Sequence, residues 1–543
     1  MPNPVHDALE PLFTPSELPT SHRRRAADGN GAEVVSGRRP SPSTIVRRLR
    51  AEVDEWRASF YVGASETSRV LLNHWFSQTH VLRAPDEVAY PFSYYFGQRE
   101  AIETLVYLYE VRRIAALSTL VAEFGDGDRE REALGVSPEE DAWARYAFKV
   151  ATGAGKTKIM SLAIAWSYFH ALFEPNSPMA RDFLVVAPSI TVFERLKEDF
   201  RPEGGGANIF DTDPVIPPAW RADWHVTVVL QDEASAAAIG GTVYLTNVHR
   251  LYDSSKRKST VPETYDWAGP AINKATARGA PTELRDRIAA HRRLLILNDE
   301  AHHVWDPGSA WNEALAFLHS ASAAKGGGVV AQLDFTATPR DDKGRVFRHV
   351  VCDTPLGEAV DAGIVKSPII GRGDKLKERP DDDAAYRYET HLMLGYKRWQ
   401  ASRDEWRPSG KKTLLFVMAE DTTAADQIAR RLNTDGTFAD LNGATINLHT
   451  NLKGSVKKRG RGKAAYEEFV ENDKDISDED LKALRRLSRE LDEDRSPYSC
   501  IVSVLMLREG GTSVTSRLSF HFVRFPRNLE VFLNKPWAAV SVG

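Results

Sequence analysis

The stretch Phe148-Lys149-Val150-Ala151-Thr152-Gly153-Ala154-Gly155-Lys156-Thr157 restricts the possible folds more than any other part of these 543 residues. A short apolar run leads into it. Ile159-Met160-Ser161-Leu162-Ala163-Ile164-Ala165-Trp166 follows and reads as a helix. Gly153 and Gly155 let the backbone turn tightly, so that N–H groups of Thr152 to Thr157 can line up on phosphate oxygens. The helix presents its positive end to the same anion. Lys156 adds a full charge for the β- and γ-phosphates, and the Thr157 hydroxyl suits Mg²⁺. Strand, loop, Lys-Thr and helix in this order read as a nucleoside triphosphate site. A Gly-rich turn before a core helix is the plain alternative.

Length sets a prior of about three to four domains, with ample chain for large cores. Hydrophobic residues at 42% and charged residues at 27% place the chain among ordinary soluble globular proteins. No run approaches the roughly 18 apolar residues of a membrane span. Met1-Pro2-Asn3-Pro4-Val5-His6-Asp7 lacks a basic region followed by an apolar core, so no secretory signal is expected. Two cysteines, Cys352 and Cys500, are too few for a disulfide framework or a zinc site, and a reducing cytoplasm fits. A net charge of −4 argues against a uniformly basic nucleic-acid binder but leaves room for a local basic groove.

Scattered Pro, Ser and Gly up to about residue 42, with Arg23-Arg24-Arg25 and Arg38-Arg39, suggest a solvated, mobile terminus. Ile45, Leu49, Val53 and Trp56 then recur at helical spacing. Tyr94-Tyr95-Phe96-Gly97-Gln98-Arg99-Glu100 opens another helix, and the Gln98 amide could both donate to and accept from an adenine edge. Buried-type parallel strands are expected at Asp182–Ala187, Gly241–Asn247, Arg293–Asp299 and Val329–Phe335. The third delivers Asp299 and Glu300 to its C-terminal edge, where ligands bind in open α/β sheets. Strands alternating with helices imply a doubly wound parallel sheet. A second alternating block holds strands at Lys412–Met418, Thr445–Thr450 and Cys500–Met506. The charged stretch Lys453–Arg495 reads as a surface helix pair.

The motifs G-Q-R-E (Gly97–Glu100), A-T-G-A-G-K-T (Ala151–Thr157), V-V-A-P (Val185–Pro188), D-E-A-H (Asp299–His302) and T-A-T-P-R (Thr336–Arg340) resemble those of superfamily 2 helicases and translocases. Asn298–His303, Asn447–Asn451 and Val502–Gly510 bring the chain closer to the Res subunit of Type III restriction enzymes. The resemblance covers about residues 85–510. It implies tandem RecA-like α/β sheets of the P-loop NTPase class. Core 1 would span 76–360 and bind ATP, core 2 would span 361–510 and be incomplete, and 1–75 would be a mobile or helical segment. Lys156 would neutralise phosphate charge, Thr157 and Asp299 would hold Mg²⁺, and Glu300 would orient or deprotonate the attacking water. Gln98 would read adenine, and His302, Thr336 and Thr338 would couple nucleotide state to nucleic acid. Ser189, Thr246 and Asn247 look like strand-end contacts to a nucleic-acid backbone, although such residues also cap helices. Double-stranded DNA and a methyltransferase (Mod) subunit are the implied partners, with no membrane role. A stand-alone DEAD/DEAH-box ATPase and a non-catalytic nucleic-acid or partner-binding remnant are the alternatives.

The resemblance stops at Leu507-Arg508-Glu509-Gly510. In the family an aromatic–acid pair and a strand follow, and later Q-x-x-G-R-x-x-R supplies an arginine to the γ-phosphate. Here Gly511-Thr512-Ser513-Val514-Thr515-Ser516-Arg517 follows instead. With Gly510 to Ser513 encoded GGC-GGG-ACG-TCC, one T restored after GGC yields Gly-Trp-Asp-Val. Permitted codons then spell Q-T-L-G-R-G-L-R-R further on. Residues 511–543 are therefore expected to be an out-of-frame tail that packs poorly or lies disordered. The family's downstream nuclease domain would be missing, ATP turnover slow, and DNA uncut.

Overall fold

The computed structural model describes residues 10–26, 31–83, 89–127, 129–188, 190–233, 239–252, 280–303, 310–340, 344–365, 378–409, 412–419, 421–448, 453–459, 466–475, 496–504 and 519–524. Contacts divide these into two compact units, one through residue 365 and one from residue 378.

Residues Phe183, Leu184, Val185 and Val186 show how the first unit is layered. Side chains alternate across a strand, so Phe183 and Val185 face one hydrophobic core and Leu184 and Val186 the other. Leu295 and Leu297 join the first core, and Leu294 and Ile296 the second. A strand buried on both faces has no solvated side, and a continuous apolar run is the sequence that satisfies this. The sheet has seven parallel strands, in the order Val350–Thr354, Ala144–Val150, Gly328–Thr336, Arg293–Asp299, Asp182–Ala187, Gly241–Asn247 and Val226–Leu230. Helices Thr44–Ala58, Glu66–Ser77, Phe96–Val106 and Lys156–Phe173 cover the face of the first core. Ala280–Ala289 and Ala310–Ala323 supply much of the second. Helices on both faces make it the doubly wound sheet expected. The order matters for chemistry. Gly328–Thr336 lies between the strand that feeds the Gly-rich loop and the strand that ends in Asp299, so all three empty at one edge.

The N-terminal expectation needs correction. Of the stretch up to about residue 42 expected to be a mobile terminus, residues 21–26 and 31–42 are tied into the fold. Ser21–Arg25 and Ala32–Ser36 form an antiparallel hairpin. Arg23 and Arg39 both pair with Asp361, at 3.2 and 3.0 Å. Arg38 donates to Glu100 and to Glu358, each at 2.9 Å. Two buried carboxylates need a cation, and that need fixes the arginine run in place. Downstream, Ile45, Leu49, Val53 and Trp56 are all buried on helix Thr44–Ala58, as their spacing requires.

The second unit is a parallel sheet of four strands, in the order Thr445–Leu448, Cys500–Val504, Thr413–Ala419 and Ser519–Arg524. Its core gathers Leu415, Val417, Ile428, Cys500, Val502 and Trp399. Two expectations are corrected here. Lys453–Arg459 and Tyr466–Asp475 form an antiparallel hairpin where a helix pair was expected. Its register sets Lys457 against Glu468 and Lys458 against Glu467, opposite charges that favour cross-strand pairing. Ser519–Arg524 takes an edge of the sheet beside Thr413–Ala419, so this part of the tail has a place in the fold. Its aromatic and β-branched residues suit a strand.

Candidate nucleotide-binding site

The Gly-rich loop leaves strand Ala144–Val150 and closes on helix Lys156–Phe173. Gly153 and Gly155 adopt φ of +84° and +82°, in the left-handed region that L side chains disfavour. At Gly155 a Cβ would lie 2.3 Å from the Gln98 amide nitrogen, so only glycine fits. That amide donates to the Ala154 carbonyl at 3.1 Å, and its oxygen accepts the Tyr95 N–H at 3.0 Å. Gln98 is buried, with one bond from each end of its amide, to the loop and to its own helix start. These bonds brace the loop.

Lys156, the first residue of the helix, is buried and donates to Glu300 Oε1. Its Nζ also lies 3.6 Å from Asp299 Oδ1. Asp299 ends its strand fully buried, and its Oδ1 accepts the Glu300 N–H at 3.0 Å. Glu300 turns immediately, at φ +46°. A left-handed glutamate is strained by roughly 1–3 kcal/mol, and such strain concentrates at functional sites. The turn is what lets two consecutive carboxylates face one ammonium. The lysine and the acid pair expected to work together are therefore in contact.

His302 Nδ1 lies 2.9 Å from Thr336 Oγ1 and 3.7 Å from Glu300 Oε2. Thr336 Oγ1 also accepts the Thr338 N–H at 3.0 Å. An unbroken polar path thus runs from the acid pair to the Thr336-Ala337-Thr338 turn. Thr246 and Asn247 do not join it. Both are buried, so the expected contact to a nucleic-acid backbone is not offered by this geometry. Neither polar atom of the Asn247 side chain has a hydrogen-bond partner. Ser189 lies outside the described residues.

Several functional candidates escaped sequence reading. Asp334, one register step behind Thr336, is buried and accepts from Asn298 at 2.7 Å and Gln332 at 3.0 Å, with His349 Nε2 at 2.8 Å. Burial alone would raise its carboxyl, but the bond from His349, with its charge, and the bonds from Gln332 and Asn298 hold it below the usual range. A charged residue inside an apolar strand was the available signal. Glu100 supports the site from behind. Burial would raise it, yet Arg38 and Arg50 bring it down to about 2. Glu358, sharing Arg38, goes the other way: burial and the Glu100 charge together outweigh the guanidinium. Arg195 donates to Asp299 Oδ2. Burial raises the carboxyl of Asp199, four residues on, against the opposing influence of the Thr157 hydroxyl and the Arg195 charge. Helical spacing four apart was the only hint for these two.

Residues 94–341 match the family described as Type III restriction enzyme, res subunit. The chain carries a domain of that family. Its res-type domain is of the helicase NTPase kind and contains the loop, the acid pair and the threonine turn described above. No curated protein matches the chain. Among solved structures, it is similar to a fragment assigned to an HsdR subunit of a type I restriction enzyme from Vibrio vulnificus YJ016. That likeness has 12% identity and a TM-score of 0.37, over 90% of this chain and 65% of that one. The res-type chain therefore spans less than two thirds of that fragment. T4 UvsW is similar at 10% identity and a TM-score of 0.25, over 92% of this chain and 82% of UvsW. Among the described residues, no helix is long and apolar enough to cross a membrane.

Proposed function

We propose that this chain is an ATP-dependent DNA translocase or helicase subunit of a Type III restriction–modification system, working in the cytoplasm on double-stranded DNA beside a methyltransferase partner. One observation carries the reading: Lys156 lies within reach of both Asp299 and Glu300 at a single sheet edge. The donor set fits Mg²⁺, because a buried carboxylate (Asp299) and a hydroxyl (Thr157) are hard oxygen ligands near the loop. When bound, the ion would neutralise phosphate charge.

Lys156 is held by Glu300 in this structure. A triphosphate entering the loop competes for the ammonium, and Lys156 turns to the β- and γ-phosphate oxygens. Glu300 Oε1 is then free to accept a proton from water. As the water oxygen bonds the terminal phosphorus, the bridging P–O bond breaks and ADP leaves with the electron pair. His302, touching both Glu300 and Thr336, is placed to pass that change to the threonine turn. Resequencing the codons around Gly510 tests the frame. ATPase assays with and without duplex DNA test the function. DNA-dependent turnover that Lys156→Ala abolishes supports it, and turnover indifferent to Lys156 overturns it.

A further inference from the structure

Helix Ile190–Phe200 follows strand Asp182–Ala187 and turns two polar residues toward the site. Arg195 and Asp199 are four apart, so they stand one above the other on a single helix face. Arg195 donates to Asp299 Oδ2, and Asp199 lies near enough to the Thr157 hydroxyl for that group to favour its charged form. Asp299 and Thr157 are the two groups that the proposed reading gives to the divalent ion. One short helix therefore engages one prospective metal ligand and borders the other.

We propose that Arg195 is a resident cation that occupies the Asp299 carboxylate in the nucleotide-free state, and that it must be displaced before Mg²⁺ can bind there. The inference rests on the site being a Mg²⁺–nucleotide site. Charge balance supports it. Asp299 and Glu300 bring two negative charges, and Lys156 and Arg195 pair with them through two positive ones. Both Asp299 oxygens are spoken for: Oδ1 by the Glu300 N–H with Lys156 nearby, and Oδ2 by Arg195. A guanidinium and a divalent cation cannot share one buried oxygen without strong repulsion. The Arg195 side chain keeps some exposure, at 18%, which leaves it a way out toward solvent. The helix also begins just after Pro188, in the segment the resemblance assigns to nucleic-acid contact. Arg195 is thus a positioning residue, and its effect is read in metal binding rather than in fold.

The test uses the full chain and a fluorescent ADP analogue, mant-ADP, titrated with MgCl₂ at fixed nucleotide. The readout is equilibrium binding, independent of turnover. An occupant present on about nine molecules in ten imposes roughly a tenfold penalty on apparent affinity. Arg195→Ala should therefore lower the half-saturating Mg²⁺ about tenfold, and Arg195→Lys, with a weaker hold, by a smaller factor of about two to three. An unchanged or raised half-saturation in Arg195→Ala overturns the inference. Should that variant lack a cooperative melting transition, Arg195→Lys decides by the same criterion. Absence of binding in the unaltered chain, or binding that survives Lys156→Ala, sinks the nucleotide reading itself, so the two failures are distinguishable.

Discussion

The two parallel sheets are built alike and finished differently. Each rests on apolar strands covered by helices. At the C-terminal edge of the first, adjacent strands end in Asp299 and Thr336, with the Gly-rich loop leaving the next. In the second, strands end in Ala419, Leu448, Val504 and Arg524. The difference teaches where folding and function part company. Burying Asp299, Lys156 and Glu100 is costly unless each charge is paired, and the first unit pairs all three. It also keeps Glu300 in a strained conformation that packing alone would not select. The second unit's hydrophobic cluster is apolar, and a charge it buries, Arg431, is paired with Glu389 and Asp435.

The comparison breaks most visibly at the acid pair. Glu300→Gln should lower ATP turnover about 10²–10⁴-fold, the range for losing a general base. It should retain mant-ADP binding, whereas Lys156→Ala should lose both. Neither change should move the second unit's unfolding transition. Robust hydrolysis by Glu300→Gln would assign the chemistry elsewhere.

The next effect is on stability. Arg38→Ala leaves Glu100 and Glu358 buried without their shared cation. Breaking a buried pair from one side costs about 3–5 kcal/mol. Differential scanning calorimetry should show the first unit's transition falling while the second's stays. An Arg38→Ala chain with an unchanged profile would mean that the N-terminal segment is not a true part of the first unit.

Acid should reveal the same network more gently. Glu100 is held down to about 2 in the fold against an ordinary value near 4.5. Its contribution is therefore fully present above about pH 4.5 and is lost as pH falls toward about 2. The first unit's melting temperature should decline across that window. In Arg38→Ala the decline attributable to Glu100 should shrink, because one of the two guanidinium groups that lower its pKa is gone and only Arg50 remains. An equal decline in both chains would remove Arg38 as the cause.

How much of this could be read from residues alone follows the same division. The loop, the acid pair and the buried strands were legible because each is a local pattern: glycines before Lys-Thr, two carboxylates after Leu-Ile-Leu, unbroken apolar runs. That Lys156 would meet Glu300 was legible only through the resemblance, since 143 residues separate them in the chain. The arginine run at Arg38-Arg39 misled because charge runs are usually solvated, and its partners Glu100, Glu358 and Asp361 lie far along the chain. Lys453–Arg459 misled because its charge masked β pairing that depends on a second segment. Arg195 and Asp199 carried no local signal beyond their spacing.

The smallest expected effect is the sharpest probe of the comparison, because each sheet holds one cysteine. Cys352 lies on the first sheet's edge strand and Cys500 on a strand inside the second, both buried. Burial pushes both thiols upward, Cys352 with help from Glu100. The thiolate is the reactive form, so neither should react with a thiol reagent until its unit opens. Single-cysteine chains, Cys352→Ser and Cys500→Ser, then report each unit separately. A ligand at 100 times its dissociation constant stabilises its unit by about 2.7 kcal/mol, which slows labelling through global opening about 100-fold. Mg²⁺ with ADP should therefore protect Cys352 strongly and leave Cys500 near its unliganded rate. Equal protection of both thiols would show that the nucleotide engages the two sheets as one cooperative body, and the contrast between a working sheet and a plain one would have to be redrawn.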